Sequence, residues 1–236
     1  MRLIMESRID YALMKRILDC KKCIQSNDVK KCIANCKPVC CFGDPFDING
    51  HAKKVFVIGI NPSEAEYARG HLKNDPERVL ESQLNYFDMQ PYYRFFSELA
   101  RFFDDNEVKA RLNAESKIWN SVGFLDLVKC VTRAAKGKQW NGLKPSEKNT
   151  IQKNCEHFLE EQLSRYKPKL MVAYGKDVGK WFGTRGSESE EFNFILNPRK
   201  LPFEYRAIYV PQRQGKHSRP EVNEVKAKIR EAITWI

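Results

Sequence analysis

Four short apolar runs along the chain predict buried β-strands. They are rich in β-branched residues and lie between polar stretches, at residues 54–60, 122–128, 169–174 and 206–210. Strands that are buried on both faces have this continuous apolar character, whereas half-exposed strands alternate apolar and polar residues. The runs therefore indicate the interior strands of a single sheet.

Helical periodicity fills the segments around these strands. Apolar residues recur at three- and four-residue spacing in five segments, at residues 8–19, 91–103, 146–166, 176–182 and 220–236. Strands that alternate with long helical crossovers are typical of a parallel sheet covered on both faces. The pattern predicts an α/β fold in one domain over residues 1–236, a three-layer α/β/α sandwich around a mainly parallel four-stranded sheet.

Charge and the absence of long apolar runs narrow the setting. The chain carries 41 Lys and Arg against 30 Asp and Glu, a net charge of +11. Such a balance favours acidic partners, of which nucleic acid is the commonest. No stretch reaches the roughly 20 apolar residues that a membrane helix needs, and the N-terminus has no signal-peptide core. We therefore expect a cytoplasmic, nucleic-acid-binding protein without membrane association.

The cysteines predict a metal-binding segment at the N-terminus. Six of the eight lie between residues 20 and 41, and thiols in a reducing compartment serve more often as ligands than as disulfides. Cys20 and Cys23 form a C-x-x-C pair of the kind that holds zinc or an iron–sulfur cluster. Cys130 and Cys155 lie on later elements that the fold could bring back, so four thiolates could close a tetrahedral or cubane site.

Spacing alone leaves the ligand set open. A zinc site built from Cys20, Cys23, Cys36 and Cys40 has equally suitable spacing. Burial of several cysteines, Cys32 and Cys41 among them, as small apolar side chains is a further alternative.

A five-residue motif follows the first predicted strand. It reads Gly59-Ile60-Asn61-Pro62-Ser63, and the proline disfavours the α conformation for the preceding asparagine. Ligands of open α/β sheets bind at the carboxyl ends of the strands, so we expect Asn61 to face a pocket. Its amide could hold and orient a water molecule or contact a ligand there. A structural Asn-Pro turn is the alternative.

Taken together, these motifs resemble those of the uracil-DNA glycosylase superfamily. The first motif looks closest to the Gly-Ile-Asn-Pro-Gly of the mismatch-specific branch. The cysteine frame is similar to that of the thermophile iron–sulfur branch, in which a C-x-x-C precedes the first strand, a Val-Lys-Cys ends a later strand and a fourth cysteine precedes Phe-Leu. The matching residues here are Cys20, Cys23, Val128-Lys129-Cys130 and Cys155 with Phe158-Leu159. The resemblance spans roughly residues 8–235.

The resemblance implies a DNA glycosylase that hydrolyses the N-glycosidic bond of a flipped-out uracil or related pyrimidine in base-excision repair. Asn61 would position the attacking water, and Gly59, Ile60, Pro62 and Ser63 would line the base pocket. The implied cofactor is a [4Fe–4S] cluster on Cys20, Cys23, Cys130 and Cys155, with zinc as the alternative. Lesion-containing DNA is the implied partner, and we expect a monomer.

The second signature of the family is a His-Pro-Ser loop after the fourth strand. Its nearest match is Gly215-Lys216-His217-Ser218, which lacks the proline. His217 would stabilise the negative charge on the departing base, and Ser218 would contact the substrate. Ser218 also begins a capping box for the last helix. Arg213, Lys216 and Arg219 would bind phosphates.

Asp126 departs from the family pattern in a way that bears on base recognition. The family has an asparagine there, which can both donate to O4 and accept from N3–H of uracil. An ionised aspartate only accepts, so it suits an exocyclic amine such as that of cytosine. The sequence therefore predicts an amino-bearing or modified pyrimidine as substrate, or a carboxyl group that burial keeps protonated.

Two further departures concern loops. The stacking aromatic of the branch is replaced by Lys73 and Asn74, with Tyr67 and His71 as the nearest substitutes. The loop between Cys130 and Cys155 is longer than in the branch and is basic. Two other functions stay open, a non-catalytic iron–sulfur nucleic-acid-binding protein and an enzyme acting on RNA or free nucleosides.

Overall fold

The four apolar runs of the sequence form the strands of the sheet. A computed structural model of the chain describes residues 10–34, 36–47, 49–62, 76–88, 94–114, 117–133, 139–183, 200–212, 218–234 and 236. The strands are β1 (Val55–Gly59), β2 (Val122–Asp126), β3 (Leu170–Tyr174) and β4 (Arg206–Val210). They are all parallel, in the order β2-β1-β3-β4. The prediction of a parallel four-stranded sheet is confirmed.

The helices connect and cover these strands. In chain order they are α1 (Tyr11–Leu18), α2 (Lys22–Gln25), α3 (Pro76–Leu84), α4 (Arg94–Ala100), α5 (Asn106–Arg111), α6 (Pro145–Tyr166), α7 (Lys176–Trp181) and α8 (Arg219–Ile233). Short 3-10 turns lie at Lys30–Cys32, Arg101–Phe103, Ile118–Asn120 and Gln139–Gly142. None of the helices described is long and apolar enough to cross a bilayer.

Two apolar layers pack on the two faces of the sheet. On one face, side chains of α4, α5 and α8 pack with Val57, Phe124 and Val172 of the strands. On the other face, α1, α3, α6 and α7 pack against Phe56 and Met171. Successive strand residues point to opposite faces, so an all-apolar strand supplies both layers at once. The predicted three-layer sandwich follows directly from this burial.

The N-terminal segment is tied to the sheet through Tyr166, the last residue of α6. Its ring stacks on Phe56 of β1 with centroids 5.6 Å apart, and its hydroxyl donates to the buried Asp10 carboxylate at 2.8 Å. Burial, together with the negative charge of Asp10, raises the pKa of Tyr166 well above its usual value. The phenol therefore stays protonated and keeps donating, which fixes the start of α1 beside the core.

Three features differ from the sequence prediction. β2 ends at Asp126 rather than at residue 128, although Leu127 N and Val128 N still donate to the carbonyl oxygens of Gly59 and Ile60 at 2.9 and 2.8 Å. Helix α3 went unpredicted because its buried apolar residues are few among charged ones. Helix α5 also went unpredicted. Asp105 caps it by accepting from two backbone N–H groups, but only one residue of the helix is buried, so it shows little apolar periodicity.

The capping box predicted for the last helix is confirmed. Ser218 Oγ accepts from the backbone N–H of Glu221, and the Glu221 carboxylate accepts from Ser218 N at 2.7 Å. This arrangement satisfies backbone donors that the first turn of a helix leaves without intrahelical partners. It fixes where α8 begins after β4.

Candidate active site and cysteine centre

The carboxyl ends of β1 and β2 lie side by side and carry polar side chains. Gly59 pairs in register with Asp126, whose side chain is buried with only 4% exposed. A Cβ atom on Gly59 would lie 2.6 Å from Asp126 Oδ1 and 2.7 Å from the Phe124 ring. Only glycine therefore allows the carboxylate and the ring to lie across the end of β1.

Asn61 follows on the same edge of the sheet, and its amide has a defined orientation. Its Nδ2 donates to the carbonyl oxygen of Pro62 at 2.8 Å and to Thr132 Oγ1 at 3.0 Å. A carbonyl can only accept, so the Pro62 contact settles which end of the amide carries the hydrogens. With both amide hydrogens committed, the remaining polar atom of the side chain is the acceptor Oδ1, which suits a role in orienting water.

Thr132 is a site residue that sequence reasoning missed. It is fully buried and pairs with Ile33 in an isolated antiparallel bridge, two residues after Cys130. Its hydroxyl reaches Asn61 across 71 positions of sequence, a contact that no local pattern encodes. Thr132 therefore connects the polar edge of the sheet with the cysteine-bearing segment.

Replacing Thr132 by valine should loosen the Asn61 amide. The substitution keeps the side-chain shape but removes the acceptor, and we expect faster solvent exchange of the Asn61 side-chain amide protons in NMR spectra, by about fivefold for a lost bond of roughly 1 kcal/mol. Thr132→Ser keeps the hydroxyl and should retain the wild-type signals. Unchanged exchange in Thr132→Val would show that the bond does not hold the amide.

An aromatic side chain of α4 lies near this edge of the sheet. Phe95 of α4 lies with its ring centroid 5.5 Å from that of Tyr174 and 6.0 Å from that of Phe124. Tyr174 ends β3, and burial together with the negative charge of Glu98 raises its pKa to about 12. Phe95 is half-buried. The helical segment predicted at residues 91–103 thus supplies a ring near the carboxyl end of β3.

Three cysteines meet on the far side of the segment that follows β2. The sulfur atoms of Cys23, Cys130 and Cys155 all lie within 4.8 Å of one another, and all three residues are buried. Cys23 lies on α2, Cys155 on α6 and Cys130 four residues beyond the end of β2. Within the part of the chain that the structure describes, no other group of three potential ligands lies this close.

Hydrogen bonds around these sulfur atoms favour a thiolate. Hydrogen bonds from the Cys130 and Cys155 thiols lower the pKa of Cys23 to about 3, whereas contacts with Cys155 and Cys23, together with burial, raise the pKa of Cys130. The thiolate of the group is therefore Cys23. Asn154 Nδ2 adds a donor at 3.6 Å from the Cys23 sulfur, and the backbone N–H of Lys129 donates to Cys155. Thiolate is the form that binds metal, and N–H donors to sulfur are typical of such centres. The residues fit a thiolate-bound zinc ion or iron–sulfur cluster.

The remaining cysteines have other surroundings. Cys40 donates from its sulfur to Gln83 Oε1 at 2.8 Å and lies 3.7 Å from the Cys41 sulfur, in the core on the α6 side of the sheet. The Cys32 thiol donates to Glu147. Cys20 lies outside the group of three and is half-buried. The four residues of the alternative zinc set are therefore not brought together as a group.

The family follows from comparison with known proteins. The family model for the uracil DNA glycosylase superfamily matches residues 46–230, well over half of the 236 residues. The chain belongs to this superfamily. No curated protein matches the chain closely enough to count as a relative. Membership of the uracil DNA glycosylase superfamily supports DNA binding and a glycosylase-type function in general.

Several predicted site residues of this superfamily member lie outside the described residues. They are Ser63, Tyr67, His71, Arg213, Lys216 and His217. Their roles stay predictions. The topology bears on them all the same, because β1 and β4 are parallel and their carboxyl ends share one edge of the sheet. The segments that follow β1 and β4 therefore both begin at this edge. Ser218 and Arg219, at the start of α8, are exposed.

Lys129 lies between the two parts of the site. Its side chain is 1% exposed, and its Nζ has no hydrogen-bond partner among the described residues. Burial lowers the pKa of Lys129 to about 8, while the nearby Asp126 carboxylate opposes this shift. An ammonium group is of the sign that stabilises a carboxylate in its ionised form. The Lys129 charge therefore affects whether Asp126 is ionised, and with that which hydrogen bonds Asp126 could make to a base.

Proposed function

We propose that this superfamily member is a DNA glycosylase that excises a flipped-out, amino-bearing pyrimidine. The observation that carries the proposal is the placement of Asp126 at the end of β2 and of Asn61 two residues beyond the end of the adjacent β1, with the Asn61 amide held by Thr132. Extrusion of a base from the duplex costs a few kcal/mol, which a shaped pocket and backbone contacts must offset. The net charge of +11 supports such salt-sensitive backbone binding.

In the proposed reaction, water is the nucleophile and the base is the leaving group. The Oδ1 atom of Asn61 accepts a hydrogen bond from the water and directs its oxygen toward C1′ of the deoxyribose. The new C–O bond forms as the C1′–N bond breaks, and the bonding electron pair leaves with the base. The water proton ends on the departing base or solvent. His217, by resemblance, would stabilise the developing negative charge.

Asp126 is proposed to select the base. A carboxylate accepts two hydrogen bonds and so matches an exocyclic amine, whereas it repels the O4 carbonyl of uracil. The Lys129 ammonium nearby supports the ionised form. Cytosine-type lesions would therefore be preferred over uracil.

The cysteine centre is proposed to be a [4Fe–4S] cluster, with zinc as the alternative. Cys23, Cys130 and Cys155 would hold it, with Cys20 as the predicted fourth ligand. Hydrolysis needs no electron, so the centre supplies a cross-link between α2, α6 and the segment that also carries Thr132. Through Thr132 it would help to position Asn61.

The test is excision measured under single-turnover conditions. Duplexes carrying uracil, thymine, or a 5-substituted cytosine opposite guanine would be incubated with the protein, and abasic sites would be counted. Abasic product from a cytosine-type base supports the proposal. Tight, salt-sensitive binding with no abasic product on any substrate would instead identify a non-catalytic binding protein. Action on nucleosides or RNA alone would identify an enzyme with a different substrate class.

Asp126→Asn should shift base preference toward uracil. The amide regains a donor for O4, and one good bidentate contact is worth about 1–3 kcal/mol, so the uracil-to-cytosine ratio of excision rates should rise by about 10- to 100-fold. Asp88→Asn is a matched control, because Asp88 is an exposed carboxylate whose ion-pair partner among the described residues is Lys117, at 3.7 Å. An unchanged ratio in Asp126→Asn would remove Asp126 from base recognition.

A further inference from the structure

A cavity adjoins the cysteine centre. It has a volume of about 230 Å³ and is lined by three thiol-bearing residues, Cys20, Cys36 and Cys130. Cys130 belongs to the group of three that lie within 4.8 Å of one another, whereas Cys20 and Cys36 do not. Cys20 and Cys36, which lie outside the group, therefore line the same cavity as Cys130.

Cys36 is held beside Cys130 by backbone pairing. Ala34 N donates to the carbonyl oxygen of Val131 at 2.9 Å, and Val39 N donates to that of Lys129 at 2.8 Å. These two bonds bracket Cys36 on one segment and Cys130 on the other. A turn between them, closed by Cys36 N donating to Ala34 O at 2.9 Å, sets the position of Cys36.

Cys20 approaches the same cavity from the end of α1. Its backbone N–H donates to Ile17 O at 3.1 Å, which continues the last turn of the helix. The segments that carry Cys20 and Cys36 are joined at the rim by an ion pair, with Lys37 Nζ 3.3 Å from Asp19 Oδ1. Both cysteines are half-buried. The two cysteines therefore share a cavity and a degree of exposure.

We propose that Cys36 is an alternative fourth ligand, so that either Cys20 or Cys36 completes the centre held by Cys23, Cys130 and Cys155. When the exchange occurs, the Cys36 thiol gives its proton to solvent as its sulfur–metal bond forms. The Cys20 sulfur takes up a proton as its bond breaks, and no electron is transferred. The inference rests on the metal centre of the proposed function and adds a fifth thiol to it.

Cysteine-to-serine variants of the full chain test the proposal. Cys20→Ser, Cys36→Ser and the double variant would be purified without oxygen, and iron, sulfide and zinc would be counted per chain. A second double variant, Cys20→Ser with Cys32→Ser, is the matched control. Cys32 lies in the same segment but does not line the cavity, and its thiol donates to Glu147.

Both single variants and the control should keep the wild-type metal content, and the Cys20/Cys36 double variant should lose at least one metal atom per chain. Alkylation by iodoacetamide, read by mass spectrometry, gives a second measure. Cys36 should react at least tenfold more slowly in Cys20→Ser than in wild type, and a chelator should abolish the difference.

Two results would overturn the inference. One is a Cys20→Ser protein as metal-poor as the double variant, with Cys36 as reactive as before. The other is a wild-type protein that holds no metal. Base excision by the wild type is scored separately, so a metal-loaded protein that excises nothing would count against the proposed function and leave the ligand exchange standing.

Discussion

Asn61→Ala should lower the single-turnover rate of base excision by about 10²-fold, while DNA binding changes little. The alanine removes the acceptor that would direct water at C1′, and nothing in the variant replaces it. Under the proposed function, a chain of net charge +11 would bind DNA mainly through phosphate contacts, so the loss should appear in the rate of the chemical step rather than in affinity.

Asn120→Ala is the matched control for this result. Asn120 is exposed and lies in the 3-10 turn before the amino-terminal end of β2, opposite the carboxyl ends of the strands. Its replacement should leave the rate within a factor of about two, as surface changes usually do. A rate for Asn61→Ala within that same factor would show that another residue orients the water.

The position of the Asn61 amide depends on the segment that follows β2. Asp126 ends the strand, Lys129 is buried behind it, Cys130 joins the cysteine centre and Thr132 accepts from Asn61. One stretch of backbone thus carries a base-reading candidate, a candidate metal ligand and a candidate positioning residue. Disturbance of the cysteine centre should therefore shift Asn61 and Asp126 through this backbone.

The sheet could be predicted from sequence because its strands are apolar throughout. Burial on both faces leaves no polar position within a run such as β1. Such a strand can therefore be predicted from its own residues, without knowledge of the strands that pair with it. The ends are harder to place. The sequence predicts a run to residue 128, since the two residues after Asp126 are apolar, yet the strand ends at Asp126 and two further hydrogen bonds continue to Gly59 and Ile60.

The candidate site could be predicted only in part. The spacing of the cysteines and their resemblance to a family frame picked out Cys23, Cys130 and Cys155, which the structure brings together. Thr132 and Phe95 were missed because their roles arise from contacts between distant segments, and neither belongs to a motif. Contacts between residues far apart in the chain produce no periodic pattern in the sequence, so they cannot be inferred from it.

Loss of a cysteine ligand should have the largest effect on stability. We expect Cys155→Ser to release the metal and to lower the melting temperature by about 8–16 °C. The estimate takes a metal contribution of at least about 4 kcal/mol, with each kcal/mol worth roughly 2–4 °C in a chain of this size. A chelator applied to the wild type should reproduce the shift, because it removes the same cross-link.

Cys41→Ser separates loss of the metal from the general cost of a polar atom in the core. Cys41 and Cys155 are each 1% exposed, but Cys41 lies beside Cys40 rather than in the group of three. Its replacement should leave the metal content unchanged and cost only about 1–3 kcal/mol, the usual range for a poorly satisfied buried hydroxyl. Since metal must displace the protons of bound thiols, the difference between the two variants should shrink as the pH falls and the wild type itself loses metal. Equal losses from the two variants at neutral pH, with the chelator inert, would mean that the cysteine centre stabilises this protein without any metal.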